Sequence, residues 1–356
     1  MQSPTASNME KPEVSPPEAS SEHGRGRHAE APTEVPPKGW LDILVRTKDQ
    51  IAADNLSVVA AGVGFYGFVA AVPALAAVIA LYALVSDPAL VRDHIASLAQ
   101  VVPPQVMPLL EEQMTRIAGN QQAAGWSFIV GLVLALYSSS RAIMAMITGL
   151  NIAYDEAEKR SFIKLNLVAF ALTGFVAVGA LLAIGLVAIL PSVLSALPVS
   201  GNLETLLNWL RWPVLIGGFM IALTVMYRYA PSRNEPQWKW VSGGALVATL
   251  LWVAGSAAFS FYVSQFGSYD KTYGSLGAIV VFLMWLFLSA FAILLGAEFN
   301  SEMERQTLED TTDDPEQPLG QRGAEAADTV GPARGGKRPG KHQAPSTKLQ
   351  RSAKSR

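Results

Sequence analysis

Tyr273-Gly-Ser-Leu-Gly-Ala-Ile-Val-Val-Phe-Leu-Met-Trp-Leu-Phe-Leu-Ser-Ala-Phe-Ala-Ile-Leu-Leu-Gly-Ala297 runs for 25 residues without a charged side chain. At 1.5 Å per residue a helix of that length covers about 37 Å, more than the roughly 30 Å of a bilayer's hydrocarbon core. Helices in soluble cores seldom run so far without a charge, so this stretch reads as a membrane span. Similar runs recur upstream. Asn55–Ser86 is uncharged and gives a span near 58–85. Ile117–Ser140 is uncharged and stays apolar past Arg141 to Ile147, giving a span near 124–147. Leu165–Leu190, ended by Pro191, gives 165–190; Trp212–Tyr229 gives a shorter one at 212–229; Trp240–Phe266 gives 240–266. With 273–297 the count is six. The fold class is all-α, a polytopic membrane bundle of six transmembrane helices.

Composition agrees. Of 356 residues, 50% are hydrophobic and 16% charged, and the mean hydropathy is +0.27; soluble domains carry about 25% charged residues. Cysteine is absent, which excludes disulfides, thiolate metal sites, iron–sulfur clusters and thiol nucleophiles. His23, His28 and His342 lie in the low-complexity ends, leaving His94 alone in the ordered region, so a histidine-rich metal site is excluded. A net charge of −2 implies no general attraction to nucleic acid. No cofactor is expected.

Residues 1–39 are rich in Pro, Ser, Glu and Ala and lack an apolar period. Such a segment cannot bury enough surface to offset its ordering entropy, so it reads as a disordered N-terminal tail, and not as a signal peptide. Residues 303–356 read as a second, charged tail. Its first part, Glu302–Glu316, is acidic, whereas Arg334–Arg356 holds eight Lys/Arg and no acid. The basic end can hold anionic lipid headgroups at about 1 kcal/mol per residue, although a plain solvated tail accounts for it as well.

Orientation follows from basic residues in the short loops. One set of loops carries Lys38, Arg46, Lys48, Arg141, Lys159, Arg160, Lys164, Arg228, Arg233, Lys239 and Arg305; the other carries Arg92, Arg116, Arg211 and Lys271. This bias of eleven to four puts both termini in the cytoplasm. Trp209, Trp212, Trp238, Trp240, Tyr262 and Tyr269 cluster at span ends, where rings sit at headgroup level. Trp40–Asn55 mixes apolar and charged positions and suits an interfacial helix. Val106, Leu109, Leu110, Met114 and Ile117 recur at helical spacing in the first outer loop, consistent with an amphipathic helix lying on the surface or covering a cavity.

Few residues inside this apolar text can carry chemistry. Pro73 falls mid-span; it cannot donate to the carbonyl of Val69 and should kink the helix, either for packing alone or beside a cavity. Arg141, after Ser138, Ser139 and Ser140, is the one basic residue set inside an apolar run. It either snorkels to water or stays in the bundle to meet an anionic substrate group or a carboxylate. Glu298 and Asn300 end the last span while Asp54 and Asn55 precede the first, so the four fall at one face, as caps or as a site. Ala60 and Gly64, Ser256 and Ser260, and Gly274 and Ala278 stand four apart, a spacing for close helix crossing, within the chain or in a homo-oligomer.

Two segments read together carry a resemblance. One is Phe266-Gly-Ser-Tyr-Asp-Lys-Thr-Tyr-Gly-Ser-Leu-Gly-Ala278, followed by Trp285 and Leu294-Leu-Gly-Ala-Glu-Phe-Asn300; the other is Asp54-Asn-Leu, then Phe65-Tyr66 and Pro73. With Ser140-Arg141 and Leu150-Asn151-Ile-Ala-Tyr154 between them, residues 40–302 resemble the YihY/BrkB family of bacterial inner-membrane proteins. The family often has a serine shortly before the proline, where Ala70 and Ala71 stand here. The resemblance implies six spans, an inner-membrane address and links to envelope integrity and virulence. The motif residues Asn151, Tyr269, Lys271 and Tyr273 thus join Pro73, Arg141, Glu298 and Asn300 as candidate substrate or cavity residues.

Three functions compete. The kink, Arg141 and the amphipathic outer helix favour a transporter- or flippase-like protein for a lipid or other amphiphile, with membrane lipids as partners. Long polar tails suit a non-transporting scaffold that recruits partners. A membrane-bound hydrolase is disfavoured, including the ribonuclease that the family has been labelled. The acids outside the tails scatter over both faces, and no HxH, HxxxH or DxD arrangement occurs. The expectation is a non-enzyme.

Overall fold

The computed structural model describes residues 24–85, 121–189, 201–265, 275–313 and 315–334. The outer-loop helix expected near 106–117, and with it Tyr269, Lys271 and Tyr273, lie outside the described residues. Helix α1, Pro37–Ala53, begins with proline at its first position, where the missing N–H costs nothing. A turn at Asp54–Asn55, with Asn55 in the left-handed region at φ 50°, leads into α2, Leu56–Val85; asparagine tolerates that conformation. Next come α3, Gln121–Ala153, and α4, Phe162–Ile184, which is N-capped by the Ser161 side chain and continues as a π turn, Gly185–Ile189. Helix α5 is Gly201–Tyr229, α6 Trp238–Gln265, α7 Ser275–Glu304, and α8 the single turn Glu325–Asp328. Among the described residues there is no β-strand.

Helices α3 to α7 are each long and apolar enough to cross a membrane; α1 and the first part of α2, bent by 66° at the Asp54–Asn55 turn, make the sixth candidate. Helix α7 is central. It packs on α6 and α2, and α1 crosses its C-terminal part. Helix α2 packs along α3, α4 lies on α3, and α5 lies on α6. The core collects at the end of the bundle that carries α1 and the chain's tails, here called the basal end. Leu56, Ile147, Leu150, Tyr154, Tyr227, Ala245 and Leu294 meet there. Small residues allow the approach: Gly64 lies against the backbone of Phe287, and a side chain at Gly244 would overlap the carbonyl of Gly296.

Of the two expected tails, 1–23 and 335–356 lie outside the described residues, and the described parts are ordered. Residues 24–36, 305–313 and 315–334 are folded onto the basal end, with Ala29, Val35, Ala324, Ala326 and Ala327 buried. Arg27 donates to the carbonyls of Gly331 (2.8 Å) and Gln306 (3.2 Å), and Arg322 to those of Leu308 (2.7 Å), Ala327 (2.8 Å) and Glu309 (2.9 Å). These segments build no core of their own. They satisfy their backbone through buried guanidinium groups and use a surface the bundle already provides, which an argument from their own apolar content misses. Trp240 also differs. It is 1% exposed, packed with Ile43, Phe299 and Met303, and is not a headgroup-level ring.

Candidate functional site

The basal end holds a dense set of buried charges. On α1, Arg46 donates to Glu302 Oε2 (2.6 Å), to the Glu302 carbonyl (2.8 Å) and to Gln306 Oε1 (2.8 Å). Arg233, after α5, reaches Glu304 Oε1 at 2.8 Å with both side chains fully buried, and its guanidinium lies 4.4 Å from the Tyr154 ring centre. Burial opposes the charge of Arg233, but Glu304, Tyr154 and Glu156 together outweigh it and hold the guanidinium above its ordinary value. Arg305 binds Asp155 Oδ2 at 3.0 Å across the turn that follows α3. The turns are thereby tied to the last helix.

Three of the expected residues come together in this region. Asn300 accepts from Gly244 N (2.6 Å) and donates to Val241 O (3.0 Å) and to the Tyr154 hydroxyl (3.3 Å). Every polar atom of its side chain is engaged, so Asn300 is a lock between α6, α7 and the end of α3. Asn151 accepts from Ser232 N (2.7 Å) and donates to Glu158 (3.0 Å), joining the α3–α4 and α5–α6 turns. Arg160 bonds both oxygens of Glu158 and holds that carboxyl down at about 2. Burial pushes the Tyr154 phenol well above its usual value.

Glu298 behaves differently. Its side chain is 0% exposed, yet neither carboxyl oxygen has a hydrogen-bond partner among the described residues. The charged groups that act on it are Glu302 on its own helix, Arg305 just after that helix, Asp54 before α2 and Asp155 after α3. Of the four residues expected at this face, Asp54 acts electrostatically on Glu298, whereas Asn300 bonds to α6 and Tyr154 and Asn55 is exposed.

Arg141 and Pro73 stand apart from this cluster. Pro73 lies half-buried within α2. Arg141, half-buried on α3, lies 4.9 Å from the ring centre of the exposed Tyr137; its Nη2 is 3.5 Å from Asn166 Oδ1 on α4, and its Nε is buried without a hydrogen-bond partner among the described residues. Nearer mid-bundle, Leu251, Trp252, Ser256, Trp285, Ser289 and Leu295 line a cavity of about 140 Å3 between α6 and α7. Trp252 Nε1 donates to Ser289 Oγ there at 3.0 Å.

Sequence reasoning treated Arg46, Arg228, Arg233 and Arg305 as loop charges that orient the chain. The side chains of all four are buried. The available signal was the choice of arginine over lysine: a guanidinium satisfies several acceptors at once and suits buried pairs. The lysines Lys48 and Lys159 remain largely exposed.

Long apolar helices wrapped around a central α7 and sealed by buried ion pairs at one end define a multi-pass α-helical membrane protein. The chain belongs to the virulence factor BrkB family, whose model matches residues 47–320. It is 34% identical to a putative ribonuclease-like protein, YfkH, of Bacillus subtilis, over 60% of this chain and 78% of the relative. It is 25% identical to a UPF0761 membrane protein of Pseudoalteromonas translucida over 77% of this chain and 89% of the relative. A UPF0761 membrane protein of Methylibium petroleiphilum is 27% identical over 72% of this chain, which spans 61% of that relative's length. No solved structure matches.

Proposed function

We propose that the protein is a transporter- or flippase-like protein of the bacterial inner membrane, acting on a lipid or other amphiphile with an anionic head and linked to envelope integrity, with its basal end in the cytoplasm. Arg141 carries this reading. It is a cation in an apolar helix, half-buried, and its hydrogen bond among the described residues is to a neutral amide at the limit of hydrogen-bond length. A central arginine costs about 3 kcal/mol on insertion scales, and an anionic headgroup entering between α3 and α4 would meet it beside Tyr137. The cavity next to Trp252 and Trp285 offers an apolar surface for a chain. The basic residues beyond 334 would meet anionic headgroups at the same membrane face.

The scaffold alternative is weaker because residues 24–36, 305–313 and 315–334, which would have to reach partners, are used to close the basal end. The ribonuclease-like name of the Bacillus relative is not carried over. Among the described residues no three His, Cys, Asp or Glu are placed to hold a metal ion, and RNA hydrolysis of that kind needs convergent ligands.

The test is reconstitution into liposomes with labelled phosphatidylglycerol and phosphatidylcholine. The wild type should move the anionic lipid between leaflets, and Arg141→Gln should abolish movement while folding normally. Arg141→Lys should also fail, since an ammonium cannot grip a phosphate with two arms. Movement at wild-type rate in both variants overturns the reading. Orientation has its own check: a periplasm-active reporter should give signal after Asp87, Gly201 or Asp270, and none after Glu156 or Arg233.

A further inference from the structure

We propose that Glu298 is a proton-binding site, loaded from the basal side, and that it is the group that couples proton movement to the transport proposed above. The coupling rests on that transport reading; the occupancy by a proton does not.

The argument is geometric. Glu298 sits near the end of α7, fully buried, at a level where α1, the Asp54 turn and the Asp155 turn converge. The neighbouring guanidinium groups are committed to other acceptors among the described residues, and the buried N–H they leave over, Arg305 Nε, makes no hydrogen bond to Glu298. Arg46 is bonded to Glu302 and Gln306, and Arg305 to Asp155 and Thr329. The remaining facing groups, Asp54, Asp155 and Glu302, are acids contributed by three different elements. The Tyr154 hydroxyl, the other titratable group nearby, takes its hydrogen bond from Asn300. An ionised carboxylate there would be buried beside like charges and without a donor, a costly state. The neutral acid escapes the penalty on charge and keeps only the smaller cost of an unpaired carboxyl. A proton also suits the site better than a metal ion, since no three of these carboxylates are arranged as ligands.

Exchange needs a path, and the surrounding turns provide one. Asp155 is part-exposed, and the Asp54–Asn55 turn ends at the exposed Asn55. Both turn residues next to the site, Asn55 and Asp155, hold left-handed backbone conformations (φ 50° and 57°) that non-glycine residues seldom adopt. A small movement of either turn would open Glu298 to basal water.

The experiment uses the full chain in lipid nanodiscs. An infrared difference spectrum of wild type against Glu298→Gln at neutral pH should show a protonated-carboxyl carbonyl band in the wild type alone, shifted in heavy water and lost on titration to high pH. A difference band of an ionised carboxylate in its place overturns the proposal. Thermal melting gives a second reading. Glu298→Gln should match the wild type at low pH and exceed its melting temperature increasingly as pH rises; a variant less stable at neutral and high pH that converges with the wild type at low pH would mean that Glu298 is ionised and paired. In liposomes a pH gradient should alter lipid movement by the wild type and not by Glu298→Gln. Gradient-insensitive wild-type movement removes the coupling role and leaves the occupancy standing on its band. Failure of lipid movement altogether refutes the transport reading without touching that band.

Discussion

The basal end and the middle of the bundle are built from the same helices, yet they solve opposite problems. At the basal end, Arg46, Arg233 and Arg305 are buried and each meets a carboxylate. Toward mid-bundle the charge on α3 is Arg141, held by an amide and a ring, and the helix faces expose Leu134, Leu182, Leu250 and Phe261. Water explains the difference. Where helices end, turns and tails can be drawn in to satisfy charges, and tight packing follows. Where helices face hydrocarbon, apolar residues gain nothing by turning inward, so packing is looser and a lone cation stands out. Dense charge pairing therefore belongs to the end, and the small cavity by Trp252 to the middle.

That contrast can be broken most forcefully at Arg233. Arg233→Ala leaves Glu304 buried without its cation, a change worth about 3–5 kcal/mol, and should leave little folded protein after extraction into mild detergent. Near wild-type yield and melting temperature would mean that the basal seal contributes little. At the mid-bundle cavity the expected effect is far smaller. Ser289→Ala removes the acceptor of Trp252, and polar contacts between membrane helices average about 0.6 kcal/mol. Its unfolding in denaturing detergent should shift only slightly, whereas a loss comparable to Arg233→Ala would erase the distinction between the regions.

The smallest effect concerns the rim of the basal end. The carboxyl of Glu158 is held down at about 2, first by the Arg160 side chain and then by the Arg160 backbone and Asn151. A carboxyl depressed in the folded state stabilises above its unfolded value, about 4.3. That contribution is lost as pH falls from there towards 2. Glu158 is partly exposed and solvent-screened, so about 0.2–1 kcal/mol is expected. Melting curves of Glu158→Gln should lie slightly below wild type at pH 7 and converge with it at pH 2 to 3. Parallel curves would show that the Arg160 contact does not contribute to stability.

Span positions were legible because a hydrocarbon slab imposes a length and an absence of charge that one chain displays by itself. The 25 residues of 273–297 needed no partner to be read, and α7 runs through nearly all of them. The Ala60–Gly64 spacing likewise pointed to a close crossing, which Gly64 makes against Phe287. The approach of Gly244 to Gly296 was missed, because each glycine matters only through the other, 52 positions away.

Membership of the bilayer class, the run of helices and the rarity of interior charge were thus determined by the sequence alone, since each depends on residues near one another along the chain. Which charges are buried, and with whom, was decided by the tertiary structure. Arg46 finds Glu302 across 256 positions and Arg27 finds Gly331 across 304. A tail that looks too polar to fold does so when distant helices present it with a surface and with unfilled hydrogen bonds. The same holds for Glu298: its position at a helix end is written in the sequence, while its isolation among engaged neighbours exists only when α1, α7 and two turns are brought together. Burial and pairing are properties of neighbours in space, and a single chain read in order supplies only its neighbours in line.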